Sequence, residues 1–251
     1  AIASVAVRYF MGIVLLIYCF RIMKFSDYSD FNYYKGLLKI GLPVSVSILV
    51  EFVAFNSVAI LLGRISGVYA AAQNLICTLT NATFMVPLAI SNAIAIKVGF
   101  ANGAKNIDDV KKYSFTGVVV SIGFMACCAL FFATFPEPVI KIFTNDAELI
   151  KISVPVIYIL AMFQVFDGLQ VSLSGIFKGL KRTGAVLFAN FVAYWLISLP
   201  VGCILAFKYN LSISGFWYGL VSASVMLCLI MGVMLIRNIR TLSRQKKSLG
   251  R

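Results

Sequence analysis

Residues 150–177 read IKISVPVIYILAMFQVFDGLQVSLSGIF, a run with Lys151 at its edge and one acidic residue, Asp167, well inside it. An apolar stretch of about 20 residues or more spans a bilayer core as a helix, whereas a membrane strand needs only about ten alternating residues. Runs of the same kind occur at 1–23, 39–63, 73–97, 113–135, 184–207 and 214–236, so seven helical spans are expected. Composition points the same way. Of 251 residues, 61% are apolar and 12% charged, with a mean hydropathy of +0.96. A soluble domain is nearer half apolar and a quarter charged, so a soluble globular fold is excluded. The expected fold class is an all-α integral membrane helical bundle.

The six cysteines, Cys19, Cys77, Cys127, Cys128, Cys203 and Cys228, each lie inside an apolar run without metal-ligand or disulfide-framework spacing. Histidine is absent, which removes the commonest zinc ligand and the commonest general base near neutral pH. Proton chemistry must therefore use carboxylates, and no enzymatic centre or cofactor is expected. The net charge of +13 follows membrane sidedness rather than a nucleic-acid surface. Seventeen of the 22 Lys and Arg residues flank one side, in clusters around Arg21–Lys39, Lys97–Lys112, Lys178–Arg182 and Arg237–Arg251. Arg8, Arg64, Lys141, Lys151 and Lys208 lie on the other. The positive-inside rule makes the first side cytoplasmic.

The joints Lys24–Leu38, Gly99–Lys112 and Pro136–Asp146 are polar or carry turn residues, and the remaining connections are tight turns. This orientation places Ala1 outside with no segment that would set it there, so the chain is expected to continue a preceding portion. Residues 1–23 then form the last span of an N-terminal lobe, 24–38 a cytoplasmic connector, 39–236 a six-helix lobe and 237–251 a basic cytoplasmic tail.

Seven of the nine acidic residues lie in or beside joints; Glu51 and Asp167 do not. A carboxylate near a helix centre costs about 2.5–3.5 kcal/mol even on the lenient insertion scale, so each needs a partner or a function. No Lys or Arg stands in the middle of any run. An exchangeable cation is then the simplest partner, each carboxylate cycling between a protonated form and a cation-bound anion, as an ion-coupled carrier requires. A structural ion pair with a cation from the preceding portion is the bland alternative. Gln164, Asp167, Gln170 and Ser174 follow helical spacing and suggest a polar stripe lining a cavity. Ser47 lies one turn before Glu51, and Asn74, Thr78 and Asn81 form a stripe that suits either interhelical hydrogen bonds or a wet surface. Pro43, Pro87, Pro155 and Pro200 interrupt runs and are expected as packed kinks or bends. Phe52, Phe55, Phe84, Phe163, Phe166, Tyr158, Tyr194 and Trp195 offer either an aromatic wall for an organic cation or ordinary packing.

Gly41-Leu42-Pro43 followed by Glu51, and Gln164–Gln170 (QVFDGLQ) followed by Gly175–Thr183 (GIFKGLKRT), resemble the multidrug and toxic compound extrusion (MATE) transporters, the NorM-like branch most closely. The resemblance covers nearly the whole chain, as the sixth to twelfth helices of a twelve-helix antiporter. It implies two six-helix lobes around a cleft, a multi-pass location in a cell membrane (in bacteria the inner one), and export of cationic amphiphiles against inward Na⁺ or H⁺. It also implies that Glu51 and Asp167 hold the coupling cation, Na⁺ included, with Ser47, Phe163, Gln164, Gln170 and Ser174 as supporting cavity residues. Where the branch often has Tyr, one turn before the Asp, this chain has Phe163 and lacks that hydroxyl. The implied partners are organic cations, the bilayer and the preceding lobe, with no nucleic acid. Two rivals remain. A lipid-linked precursor flippase needs basic residues in its cavity to hold pyrophosphate, and none is central in the runs. An intramembrane aspartyl protease needs two aspartates, usually with a Gly-x-Gly-Asp run, and Phe166 precedes Asp167.

Overall fold

The computed structural model describes residues 2–22 and 31–249, and all the regular structure in them is helical. The order is α1 (Ile2–Ile22), α2 (Phe31–Ile65), α3 (Gly67–Gly103), α4 (Ile107–Thr134), α5 (Pro136–Lys141), α6 (Ala147–Gly179), α7 (Thr183–Phe191), α8 (Leu199–Cys203) and α9 (Ser212–Leu249). Two π-helical segments, Val192–Ser198 and Ile204–Lys208, make α7 and α8 one continuous span, Thr183–Lys208. Six helices of the described residues are long and apolar enough to cross a membrane: 34–65, 67–103, 107–134, 147–179, 183–208 and 212–241. Of the run at 1–23, residues 2–22 form α1.

Two compact units divide the chain at Leu38. The first, Ala1–Leu38, holds α1 and the opening turns of α2. Residues 24–30 of the expected connector lie outside the described residues, whereas 31–38 are helical. The second unit, Lys39–Arg251, is built on α6, which packs along α3, α4 and α9. Of the expected tail, 237–249 continue α9, and residues 250 and 251 lie outside the described residues.

Caps set the true helix ends a few residues beyond the apolar runs. The Asp146 carboxylate accepts from the N–H groups of Glu148 and Leu149, starting α6, and Asn106 accepts from the Asp109 N–H to start α4. Helix α6 ends where Lys181 adopts φ 58° and the Arg182 N–H reaches back to the Phe177 carbonyl at 2.9 Å. The joint Pro136–Asp146 contains a helix that the runs did not reveal: Pro136 supplies a preset first turn, and Lys141 pairs with Glu137 one turn back at 2.7 Å.

The core is apolar as in a soluble protein, but much of the exposed surface is apolar as well. Trp217, Tyr194, Phe163 and Phe177 are fully buried, while Phe115, Leu130, Phe188 and Leu229 stay exposed within the apolar spans, as suits side chains solvated by lipid. Pro43, Pro87 and Pro155 sit inside unbroken helices, so these three do not end a span. Pro200 follows the first π segment, whose wider turn accommodates the missing N–H.

Candidate functional site

Helix α2 and the span Thr183–Lys208 meet through hydrogen bonds at a constant sequence offset, which means that they run in the same direction and in register. The Thr183 hydroxyl donates to the Ile40 carbonyl at 3.2 Å, the Asn190 amide to the Ser47 hydroxyl at 2.9 Å, and the Tyr194 hydroxyl to Glu51 Oε1 at 3.1 Å. Residues 40, 47 and 51 share one face of a helix, as do 183, 190 and 194, because a residue turns the helix by about 100°. The Trp195 indole N–H adds a bond to the Val50 carbonyl at 3.4 Å.

The Tyr194 hydroxyl has a second partner, the Gln170 amide N–H at 2.9 Å. One phenol thus joins Glu51 of α2 to Gln170 of α6, and Gln170 stands one turn after Asp167. The Asp167 side chain is buried, and its Oδ2 has no hydrogen-bond partner; Gln170 Oε1 is likewise unpartnered. Two bare acceptors on adjacent turns, beside a second carboxylate, form a patch that calls for donors, which a proton, a cation or a hydrogen-bond donor can satisfy. The backbone around Asp167 is itself well held. Ser91 donates to the Val171 carbonyl at 2.8 Å and Ser121 to the Gly168 carbonyl at 3.0 Å.

These groups open onto one cavity of about 510 Å³. Glu51, Asp167, Ser47, Phe163, Gln170 and Ser174, all singled out from sequence, line it. Gln164 does not: it is fully buried on the other flank of α6 and donates to the Thr83 hydroxyl of α3 at 2.8 Å. The reason is angular. Gln164 and Gln170 lie three residues to either side of Asp167, which places them about 120° apart around the helix, and the cavity reaches Gln170 but stops short of Gln164.

From the Asn/Thr stripe, Asn74 and Asn81 line the cavity, while the Thr78 hydroxyl is spent on the Asn74 carbonyl of its own helix at 2.8 Å. Phe52, Phe55, Phe84 and Phe163 are on the wall; Tyr158, Phe166, Tyr194 and Trp195 are not. Phe163 sets its ring edge-on to Trp217 with centroids 5.7 Å apart, and Phe55 leans on Tyr194 at 6.1 Å.

Three roles were not legible in the sequence, although Tyr194 is named there as an aromatic for the wall or for packing. Asn190 and Tyr194 form an i, i+4 polar pair in an apolar run that matches the Ser47 and Glu51 pair it bonds, and this matched spacing was the available signal. Tyr194 also brings a hydroxyl to Glu51, from the π segment that follows α7, whereas position 163 lacks one. The third is Lys178. It lines the cavity, so a cation does face this space, although the residue stands in the last turn of α6 and in a basic cluster.

The sequence profile of the MatE family matches residues 43–204. A probable multidrug resistance protein NorM from Mesorhizobium japonicum is 33% identical over 84% of this chain and 46% of its own. Multidrug resistance protein MdtK from Edwardsiella ictaluri is 27% identical over 98% of this chain and 56% of its own. The chain spans about half the length of the curated relatives it matches. Among solved structures, the eukaryotic MATE transporter AtDTX14 superposes with a TM-score of 0.81 at 19% identity, over 97% of this chain and 57% of that one. A MATE structure in the straight conformation gives 0.83 at 19% identity, over 95% and 55%.

Proposed function

The chain belongs to the MatE family of multi-pass membrane transporters, and from that premise we propose that it forms the C-terminal lobe of a cation-coupled exporter of cationic amphiphiles. The observation that carries the reading is the bare Asp167 carboxylate oxygen beside Gln170 Oε1, in a cavity shared with Glu51. A Na⁺ fits a donor set of carboxylate, amide and phenol oxygens, and a proton fits the carboxylate alone. Ion and drug need not touch. Each favours one arrangement of the lobes, and each shifts the equilibrium only by its differential affinity for the two.

Expression of the whole protein in a host lacking its own exporters tests this reading through accumulation of a fluorescent organic cation. Lower accumulation, restored by an ionophore that collapses the coupling gradient, is the expected result. Unchanged accumulation in energised cells would refute it.

Tyr194→Phe keeps the ring on Phe55 and removes the bridge between Glu51 and Gln170. Coupling-cation affinity should fall about tenfold, as expected for losing hydrogen bonds to a charged group, and the thermal midpoint should fall as well, because the Gln170 N–H and the Glu51 oxygen lose their partner at a cost of about 1–3 kcal/mol. Calorimetric titration with Na⁺, and a pH titration of drug binding, read the effect for either ion.

The rivals fit less well. A flippase would need several cations to hold pyrophosphate, but the lining carries Lys178 against two carboxylates. A protease would need a second aspartate where Glu51 stands. Sidedness has its own test in a Cys-free background: Lys105→Cys, at the turn after α3, should label only after permeabilisation, and Asn145→Cys, before α6, should label from outside. The opposite pattern would invert the lobe.

A further inference from the structure

Three charged side chains line the cavity: Glu51, Asp167 and Lys178. Their arrangement follows from helix geometry. Starting from Asp167, the residues Val171, Ser174 and Lys178 fall within about 40° of one line along α6, so Lys178 shares the Asp167 face, displaced by about 16 Å of helix rise. Side chains on a helix tilt toward its N-terminus, which for Lys178 is back toward Ser174 and the cavity. Lys178 is within electrostatic reach of Glu51, yet among the described residues no carboxylate lies within ion-pair distance of it. The cavity is therefore lined by two carboxylates and, at the α6 C-terminal end, by one ammonium group without an ion-pair partner among the described residues, with Phe52, Phe55 and Phe84 on the wall.

A purely cationic ligand is repelled at that end. An amphiphile that carries an anionic group as well as its cationic centre complements both. We infer that Lys178 is a specificity-determining residue that selects zwitterionic amphiphiles, its ammonium binding their carboxylate or other anionic group while their cationic centre faces Glu51 and Asp167. The inference rests on the exporter reading above and names the substrate class of the same cavity. Two duller roles would leave Lys178 without selectivity: complementing the α6 dipole, or extending its ammonium to the membrane surface along an apolar stem.

The test uses the whole protein in detergent and two rhodamine dyes that differ by one group, a free-carboxylate zwitterion and its ethyl ester, a plain cation. Binding is read by fluorescence anisotropy. Lys178→Met should lower the affinity ratio of zwitterion to ester about tenfold, equivalent to ~1.4 kcal/mol, through weaker zwitterion binding and unchanged or tighter ester binding. Lys178→Arg, which keeps the charge, should restore the ratio. If Lys178→Met shifts both dyes equally or neither, or lowers thermal stability alone, the selective role is overturned while the exporter reading stands. If the unmodified protein binds neither dye, the exporter reading fails, and this inference fails with it.

Discussion

Asp167→Asn should abolish drug export while leaving the protein folded, and should not lower its thermal midpoint. The substitution is nearly isosteric. It removes a charge whose attraction for a bound cation at about 4 Å is roughly 4 kcal/mol at an effective dielectric of 20, about a thousandfold in affinity. It also relieves the cost of burying a carboxylate whose Oδ2 has no partner, so stability should hold or rise. Glu51→Gln should abolish export too. If the two acids act as one unit, the double variant should be no worse than either single one, since groups that share a task are not additive. Export assays and detergent melts on the three variants read both effects. Normal pumping by either single variant would remove that acid from the coupling role.

Gly175→Val should prevent the lobe from assembling. A Cβ at Gly175 would overlap the Ser91 carbonyl oxygen, which is backbone and cannot rotate away. Helix α3 would then have to leave α6, at an overpacking cost of about 1–3 kcal/mol and with loss of the Ser91 bond to Val171 at about 1 kcal/mol. Both helices line the cavity, so its geometry is lost with the contact. Gly123 in α4 is the control: nothing lies within 4 Å of a Cβ built there. Gly123→Ala should be neutral or stabilising by up to about 1 kcal/mol through helix propensity. Fluorescence-detected size exclusion separates the cases, with a collapsed peak for Gly175→Val and a wild-type peak for Gly123→Ala. A wild-type peak for Gly175→Val would mean that the α3 and α6 backbones do not approach so closely.

The spans were legible because the membrane imposes a length that composition records directly, as in 150–177 against α6 at 147–179. Their ends were less so, since caps such as Asp146 lie among the polar residues where an apolar run stops. Helix α5 escaped notice because six residues carry too little periodicity to register. Within the site, Glu51 and Asp167 announced themselves by the cost of burying charge. Gln164 misled because i−3 and i+3 spacing looks like one stripe along the sequence, yet the two positions flank Asp167 on opposite sides, and Gln164 meets Thr83 of α3 instead of the cavity. Tyr194 looked like one apolar aromatic among many: its role depends on the span Thr183–Lys208 running in register with α2, a tertiary fact. Lys178 was masked by its neighbours Lys181 and Arg182, though its spacing of eleven from Asp167 already placed it on the cavity face.

The measurement closest to the central claim is reciprocal exchange in proteoliposomes holding the whole protein. A Na⁺ gradient at uniform pH, or a pH gradient at uniform Na⁺, is imposed and uphill movement of a fluorescent organic cation is followed; then a dye gradient is imposed and the ion is followed. One ion should drive the dye, the dye should drive that same ion, and Asp167→Asn should abolish both directions. Uphill dye movement with neither gradient, or gradient-driven movement that survives Asp167→Asn, would contradict coupling through this site.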